Sequence, residues 1–275
     1  MSTVAKLFNK LLLHRIRLHV DPLLRQNQNG FRTSRSTAEH ILRVRRIVEE
    51  CTVRQDLSCT AVFVDFEKAF DSVAREKLHQ VLGAYGIPVK LVTLIMSMYL
   101  KTNAQISTSD GLQSQDFEIS AGVLQGDTLA PFLFVLVIDY VMRQVERECK
   151  HGLQIRRRRS CRHPEVLLSS LEFADDVVLL ANNPSEAQLL VSSLEYHAAS
   201  MGLRINQKKT KVMHFGPVTC AMEEESSISV NGKPLEVVSD FKYLGSHIRS
   251  IQSDFSVRRG LAFSVANRLW RVLEV

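Results

Sequence analysis

The chain has 275 residues, of which 45% are apolar and 23% charged, the make-up of an ordinary globular protein with a substantial core. No run approaches the ~18 apolar residues of a membrane span, and the start, MSTVAKLFNKLLLHRIRLHV, lacks a signal-peptide core, so an intracellular protein with no membrane partner is expected. The net charge of +6 is compatible with a nucleic-acid partner, and five scattered cysteines argue for reduced thiols over a disulfide framework.

Residues 4–25 carry apolar side chains at helical spacing, including Leu7, Leu11, Ile16 and Leu18, with Pro22 interrupting the pattern. The polar stretch QNQNGFRTSRS follows; its Arg32 and Arg35 belong either to a solvated connector or to a pair of guanidiniums aimed at phosphate. Ser36 and Glu39 form a capping pair, so a helix starts there, with Ile41, Val44, Ile47 and Val48 on its apolar face. Residues 58–66, SCTAVFVDF, read as a strand that ends at Asp65. Lys68, Ala69 and Phe70 open a helix expected to continue through Val73, Leu78, Val81 and Leu82, ending at Gly83 and Gly86. Another helix covers 89–100, and 104–119 form a hairpin with Ser109-Asp110-Gly111 at the turn.

The loop 121–131, AGVLQGDTLAP, leads into a strongly apolar helix over 132–145, expected at the centre of the core. Residues 150–164 are basic and read as a mobile loop. Within it Arg156, Arg157, Arg158 and Arg159 form a solvated charge run, a phosphate contact or a localisation signal. Cys161 and His163 lack a second ligand pair, so zinc is not expected. The stretch 167–181, LLSSLEFADDVVLLA, is a hairpin of two apolar strands with Asp175 and Asp176 at its tip. After it come a helix over 185–201 and extended segments over 203–206 and 210–215 around Lys208-Lys209. A hairpin of 228–230 and 235–238 turns at Asn231-Gly232, a strand covers 241–248, and a helix covers 255–275.

Two adjacent carboxylates between core strands repel each other. They are either an ordinary solvated turn or the seat of a hard divalent ion with oxygen ligands. Antiparallel pairing of the strands would bring Asp65 to the same sheet edge as Asp175 and Asp176, in an α+β arrangement. Three carboxylates can hold two divalent ions, the equipment of nucleotidyl transfer and equally of phosphate-ester hydrolysis.

FVDFEKAFDSV, GVLQGDTLAPFLFVLVIDYVM and FADDVVLL, in that order, resemble the three core palm motifs of reverse transcriptases. QNGFRTSRST is similar to the fingers motif of the non-LTR (LINE-type) retrotransposon branch, GLRINQKKTKVM to the segment after the catalytic hairpin, and FKYLGSHI to the primer-grip strand. The resemblance implies a right-hand polymerase palm, a ferredoxin-like antiparallel sheet with helices on one face. It implies an RNA-directed DNA polymerase that uses two Mg²⁺ ions (or Mn²⁺), an RNA template, a DNA primer and deoxynucleoside triphosphates. Asp65, Asp175 and Asp176 would bind metal, joined by the backbone at Phe66. Phe70 would gate against the sugar 2′-hydroxyl, and Gln125 and Gly126 would line the incoming nucleotide and template. Arg32 and Arg35 would meet the triphosphate or the template backbone, and Lys209 would protonate the leaving pyrophosphate or neutralise it. Asp71 would position its helix or serve the metal, and Asp127 would shape its loop. Arg156–Arg159 and Tyr243, Leu244 and Gly245 would contact nucleic acid.

On this reading residues 1–57 are partial fingers and 58–250 the palm, with a fingers-derived insertion around 89–120 and the basic loop 150–164. Residues 251–275 start a truncated thumb. Thr128 and Ala130 depart from the QGDPLSP common in the family, away from the acids. The rival reading is a truncated, inactive remnant that still grips nucleic-acid backbone with strong salt dependence.

Overall fold

The computed structural model describes residues 3–273 except 55, 101, 125, 157–159, 161–163, 218–226 and 250. Gln125, Arg157, Arg158, Arg159, Cys161 and His163 therefore lie outside the described residues. Helix α1 (Thr3–Val20) buries Leu12, Ile16 and Val20 and ends before Pro22, which sits in a 3₁₀ turn over Asp21–Leu23. Helix α2 (Thr37–Val53) starts at the expected cap, where the Ser36 hydroxyl accepts the Glu39 N–H at 3.1 Å. Glu39 does not return that bond, because its carboxylate is paired with Arg35 and Arg43. Strand β1 (Cys59–Val64) is buried at every position.

The helix expected from Lys68 to Leu82 is two helices, α3 (Ala69–Ser72) and α4 (Arg75–Ala84). The backbone between them is drawn elsewhere: the Val73 carbonyl accepts from Gly122 at 2.8 Å and the Ala74 N–H donates to Met201 at 2.9 Å. Helix α5 (Val89–Tyr99) and the short hairpin β2 (Asn103–Ala104) and β3 (Phe117–Glu118) follow as expected. Helix α6 (Ala130–Glu148) is the apolar centre, with Phe132, Leu133, Phe134, Val135 and Leu136 all buried. The basic stretch is not simply a loop, since β4 (Leu153–Arg156) pairs with β5 (Val166–Leu168) and ties down both its ends.

Strands β6 (Ser170–Phe173) and β7 (Asp176–Ala181) form the expected hairpin, and α7 (Pro184–Ser200) is capped by the Asn183 side chain. Strand β8 (Lys211–Phe215) precedes the pair β9 (Ser229–Val230) and β10 (Lys233–Pro234) around Asn231-Gly232. Leu235 extends that hairpin by one bond, its N–H donating to Ile228 O at 2.7 Å, but beyond it β11 (Glu236–Val237) joins β8 in parallel. Nor is 241–248 one strand. It folds back as β12 (Lys242–Tyr243) and β13 (Ser246–His247) because Leu244 and Gly245 take φ of 47° and 80°, the double positive φ of a tight hairpin turn. Helix α8 (Ile251–Leu273) ends the described chain.

The main sheet has the order β11-β8-β1-β7-β6. Its four strands β8, β1, β7 and β6 are antiparallel neighbours, the ferredoxin-like arrangement of a palm. Because side chains alternate along a strand, Val62, Val64, Val177 and Leu179 face α6 and α7 in one core. Ala61, Phe63, Val178 and Leu180 face the other way. That second face is not bare: α2 covers it with Val44, Val48 and Cys51, beside Tyr243 and Ile248 of the β12–β13 hairpin. Among the described residues, no helix is long and apolar enough to cross a membrane.

Candidate active site

Strand register brings the sequence-distant acids together. The β1–β7 ladder runs to Val64↔Val177, and one step further sets Asp65 opposite Asp176. The β1–β8 ladder runs to Phe63↔Lys211, beyond which the chain turns at 207–209 and swings Lys209 beside Asp65. Lys209 Nζ stands 3.4 Å from Asp65 Oδ2, an ion pair too long and misdirected for a hydrogen bond, so that buried oxygen has no hydrogen-bond donor. The backbone at Asp65 is fixed on the same side, its N–H donating to the buried Thr210 hydroxyl at 3.3 Å and its carbonyl accepting from Asn206 at 2.8 Å.

Phe173 pairs with Asp176 across the β6–β7 turn, leaving Ala174 and Asp175 at its tip. Ala174 adopts φ 58° to make the reversal. Burial, then the charge of Asp65, pushes the Asp175 carboxyl above its ordinary value. Burial, then Asp175 and Asp65, pushes Asp176 up to about 6; Lys209 pulls against both. Three acids thus share one edge, with the Lys209 ammonium beside Asp65. Among the described residues, no three acidic, His or Cys side chains already surround a common point. The donor set is nevertheless all hard oxygen, and includes a buried Asp65 oxygen that accepts no hydrogen bond, which fits a magnesium-like ion better than a soft one.

Two clefts flank Asp65. One of ≈ 330 Å³ lies between Asp65, Asp176, Lys208, Lys211 and Tyr243. The other, of ≈ 580 Å³, is lined by Phe66, Lys68, Ser72, Arg204 and Asn206, and Lys209 borders both. Phe66 pairs with Ile205 while its neighbours make the connecting bonds, Glu67 N–H to Arg204 O and Asn206 N–H to Asp65 O. In an antiparallel pair of that kind the residue's own amide and carbonyl point the opposite way, here toward β7 and the acids. Phe70 is half-buried and stacks on Phe134, ring centroids 4.4 Å apart. Gly126 has φ 79° with open space around it, and Asp127 shapes the loop as expected, accepting from Asn9 at 2.7 Å and from the Leu129 N–H at 3.0 Å. Asp71 lies exposed on α3.

Other expected residues are placed differently. Arg32 is turned inward: it donates to the Asp21 side chain and to the carbonyls of Asp21, Arg25 and Gln28, which leaves no open fork for phosphate. Arg35 is held by Glu39 and Gln26 but keeps an exposed edge. Arg156 lines a pocket with Ser58 and Asn182, at the other end of β1 from Asp65, a strand length of about 20 Å away. Tyr243 is 3% exposed, so its ring is not presented to nucleic acid; its hydroxyl donates to the Asp176 carbonyl at 3.3 Å. Leu244 is half-buried and Gly245 exposed at the adjoining turn.

Segment 27–30 reaches the acid turn, which sequence reasoning missed. Residues 27–29 add to the free edge of β6, with Glu172 N–H donating to Asn27 and Asn29 N–H to Glu172. Gln28 Oε1 accepts from Ala174 N–H at 3.1 Å and Gly30 N–H at 2.7 Å. Gly30 packs so closely that a Cβ there would lie 2.2 Å from the Ala174 nitrogen. Below this contact Arg25 bridges Glu172, Asp139 and Glu146 at 2.8, 3.2 and 2.5 Å. Burial pushes Glu172 up against the pull of Arg25. A signal was available: Glu172 and Asp139 are acids inside apolar runs, and buried charges need partners.

Residues 1–248 match the family described as "Reverse transcriptase (RNA-dependent DNA polymerase)". The chain is 27% identical over 252 residues to the "Retrovirus-related Pol polyprotein from type-2 retrotransposable element R2DM" of Drosophila melanogaster, covering 89% of this chain and 22% of that protein. It is 26% identical over 277 residues to the "RNA-directed DNA polymerase from mobile element jockey" of Drosophila funebris, covering 94% and 28%. The chain thus spans less than a third of either relative. Among solved structures, a telomerase from Candida tropicalis in complex with a TWJ fragment of telomeric RNA aligns with a TM-score of 0.55 at 12% identity, covering 82% of this chain and 35% of that one. A telomerase from Candida albicans with the same type of RNA fragment aligns at 0.54 and 11%, covering 89% and 36%; both likenesses concern the fold.

Proposed function

Since the chain belongs to the reverse transcriptase family, we propose that it is an RNA-directed DNA polymerase of the non-LTR retrotransposon branch, extending a DNA primer on an RNA template with deoxynucleoside triphosphates. The observation that carries this reading is the meeting of Asp65, Asp175, Asp176 and Lys209 at one strand edge. In the reaction the primer 3′-oxygen bonds to the α-phosphorus, the bond to the β-phosphate bridge breaks, and pyrophosphate leaves. Asp65, Asp175 and Asp176, with the Phe66 carbonyl, would hold two Mg²⁺ ions, or Mn²⁺ in their place. Such ions acidify the attacking hydroxyl and offset charge on the phosphates.

Lys209 borders both clefts and offsets charge on, or donates a proton to, the departing pyrophosphate. Phe70, braced on Phe134, would exclude a 2′-hydroxyl. Gln125 and Gly126 would line the nucleotide, Arg35 the triphosphate or template backbone, and the turn at Leu244 and Gly245 the primer. Arg156 would meet nucleic acid away from the reacting atoms, and Arg157, Arg158 and Arg159 would contact it as well. Residues 1–57 form fingers, 58–250 palm and 251–275 thumb, and the protein acts inside the cell.

Primer extension on an RNA template with dNTPs and Mg²⁺ tests the reading, with Asp175→Ala as the paired control. Extension by the parent alone is expected. A folded parent that shifts the template–primer duplex at low salt yet extends nothing would favour a binding remnant.

A further inference from the structure

The acid turn is held from outside by a directed chain of hydrogen bonds. Asn29 Nδ2 can only donate, so at 3.0 Å it makes His40 Nδ1 an acceptor. The Tyr243 hydroxyl directs its one proton to the Asp176 carbonyl at 3.3 Å, so at 3.0 Å it accepts from His40 Nε2–H. His40 is fully buried and neutral, its pKa lowered to about 4 by burial and then by the charge of Arg43, as this ordering requires. The tautomer is thus fixed by its partners. On the other side of the same turn, Gln28 Oε1 holds the Ala174 N–H. Gln28 therefore fixes the residue before the acid pair, and Tyr243, held by His40, the second acid itself.

We propose that Tyr243 and His40 are positioning residues: they set the backbone of Asp176, and through it the aim of the Asp175–Asp176 carboxylates, opposite the Gln28 clamp on Ala174. This assignment rests on the polymerase reading above. It gives Tyr243 a task other than touching primer, in keeping with its burial. The tyrosine ring is braced for that task, with Phe63 at 5.3 Å and His40 at 5.7 Å between centroids. A partner that orients a metal ligand from behind affects affinity and rate about 10- to 100-fold when removed.

The test compares Tyr243→Phe, His40→Leu and His40→Gln with the parent and Asp175→Ala. Primer extension on an RNA template with a DNA primer gives kcat and the dNTP KM. A gel shift in metal-free buffer gives the template–primer Kd, and a Mn²⁺ titration followed by electron paramagnetic resonance gives ion affinity without turnover. Tyr243→Phe and His40→Leu should lower kcat and Mn²⁺ affinity by about tenfold or more, with template–primer Kd unchanged. Glutamine can accept from Asn29 and donate to Tyr243, so His40→Gln should stay near the parent. A Tyr243→Phe chain that loses template–primer affinity while keeping kcat and Mn²⁺ affinity overturns the proposal, as does one indistinguishable from the parent. A parent that neither extends nor binds Mn²⁺, like Asp175→Ala, overturns the polymerase reading and this assignment with it, a pattern distinct from an active parent with an indifferent Tyr243→Phe.

Discussion

Replacing His40 with glutamine should make the protein less sensitive to acid. An exposed imidazole in the unfolded chain takes up its proton near pH 6.5. In the folded chain the ring is fully buried, with Arg43 nearby, and its pKa falls to about 4; Glu39 opposes this only in part. Between those values the unfolded state binds the extra proton, so stability is intact above pH 6.5 and is lost as pH falls toward 4. A shift of that size corresponds to roughly 3 kcal/mol at about 1.4 kcal/mol per pH unit. Glutamine cannot take up the proton. The variant should match the parent to within about 1 kcal/mol at pH 7.5 and exceed it by about 2–3 kcal/mol at pH 4. At about 2–4 °C per kcal/mol for a chain of this size, the gap in Tm grows to roughly 4–12 °C. Thermal melts of both chains across pH 4–7.5, with their difference plotted, isolate His40 from every other titrating group. A difference that stays flat over that range would refute the argument.

Gly30→Ala places a methyl 2.2 Å from the Ala174 nitrogen, so the turn must move; a loss of about 1–3 kcal/mol by denaturant melt is expected, with primer extension abolished. Arg25→Met removes the cation shared by the fully buried Asp139 and Glu172 and should destabilise by about 3–5 kcal/mol; a change under about 1 kcal/mol would show that the acids find other partners. Saturating Mn²⁺ should raise the parent's Tm through binding to the folded state alone, and Asp175→Ala should lose most of that rise. Phe70→Val should let ribonucleotides be incorporated, read as extension in rNTPs alone; unchanged discrimination would return Phe70 to a packing role on Phe134.

What could be read from the sequence was local. The Ser36 cap, the apolar face of α2 and the Asp175–Asp176 hairpin depend on neighbours a few residues apart. Asp65 was legible because an acid at the end of an apolar strand contradicts its surroundings. What escaped depends on pairing over long separations. Arg32 looked free among polar residues, yet its carbonyl partners at Asp21, Arg25 and Gln28 appear only once the 3₁₀ turn is formed. Val73 has the spacing of a helix interior, and the helix is broken there by bonds to partners far along the chain, Gly122 to Val73 and Ala74 to Met201. Tyr243 looked like a surface contact because nothing nearby in sequence announces His40 or the Asp176 carbonyl. The family likeness supports the palm as a whole, but the contact between residues 27–30 and the turn at Ala174 came from the structure.

The central place of β1 in the sheet sets a timetable for synthesis. Its partners on either side, β7 and β8, lie more than a hundred residues further along the chain. At ribosomal rates of about 5–20 residues per second, the strand waits roughly 5–25 s for its first neighbour. During that interval CTAVFV, buried at every position when folded, has both hydrogen-bonding edges open and no charge of its own. Helices α4, α5 and α6 emerge meanwhile and offer it an apolar surface but no edge partner. A nascent chain stalled before Asp176 should therefore be held by chaperones that recognise extended apolar segments, and one stalled well beyond Phe215 should be released from them.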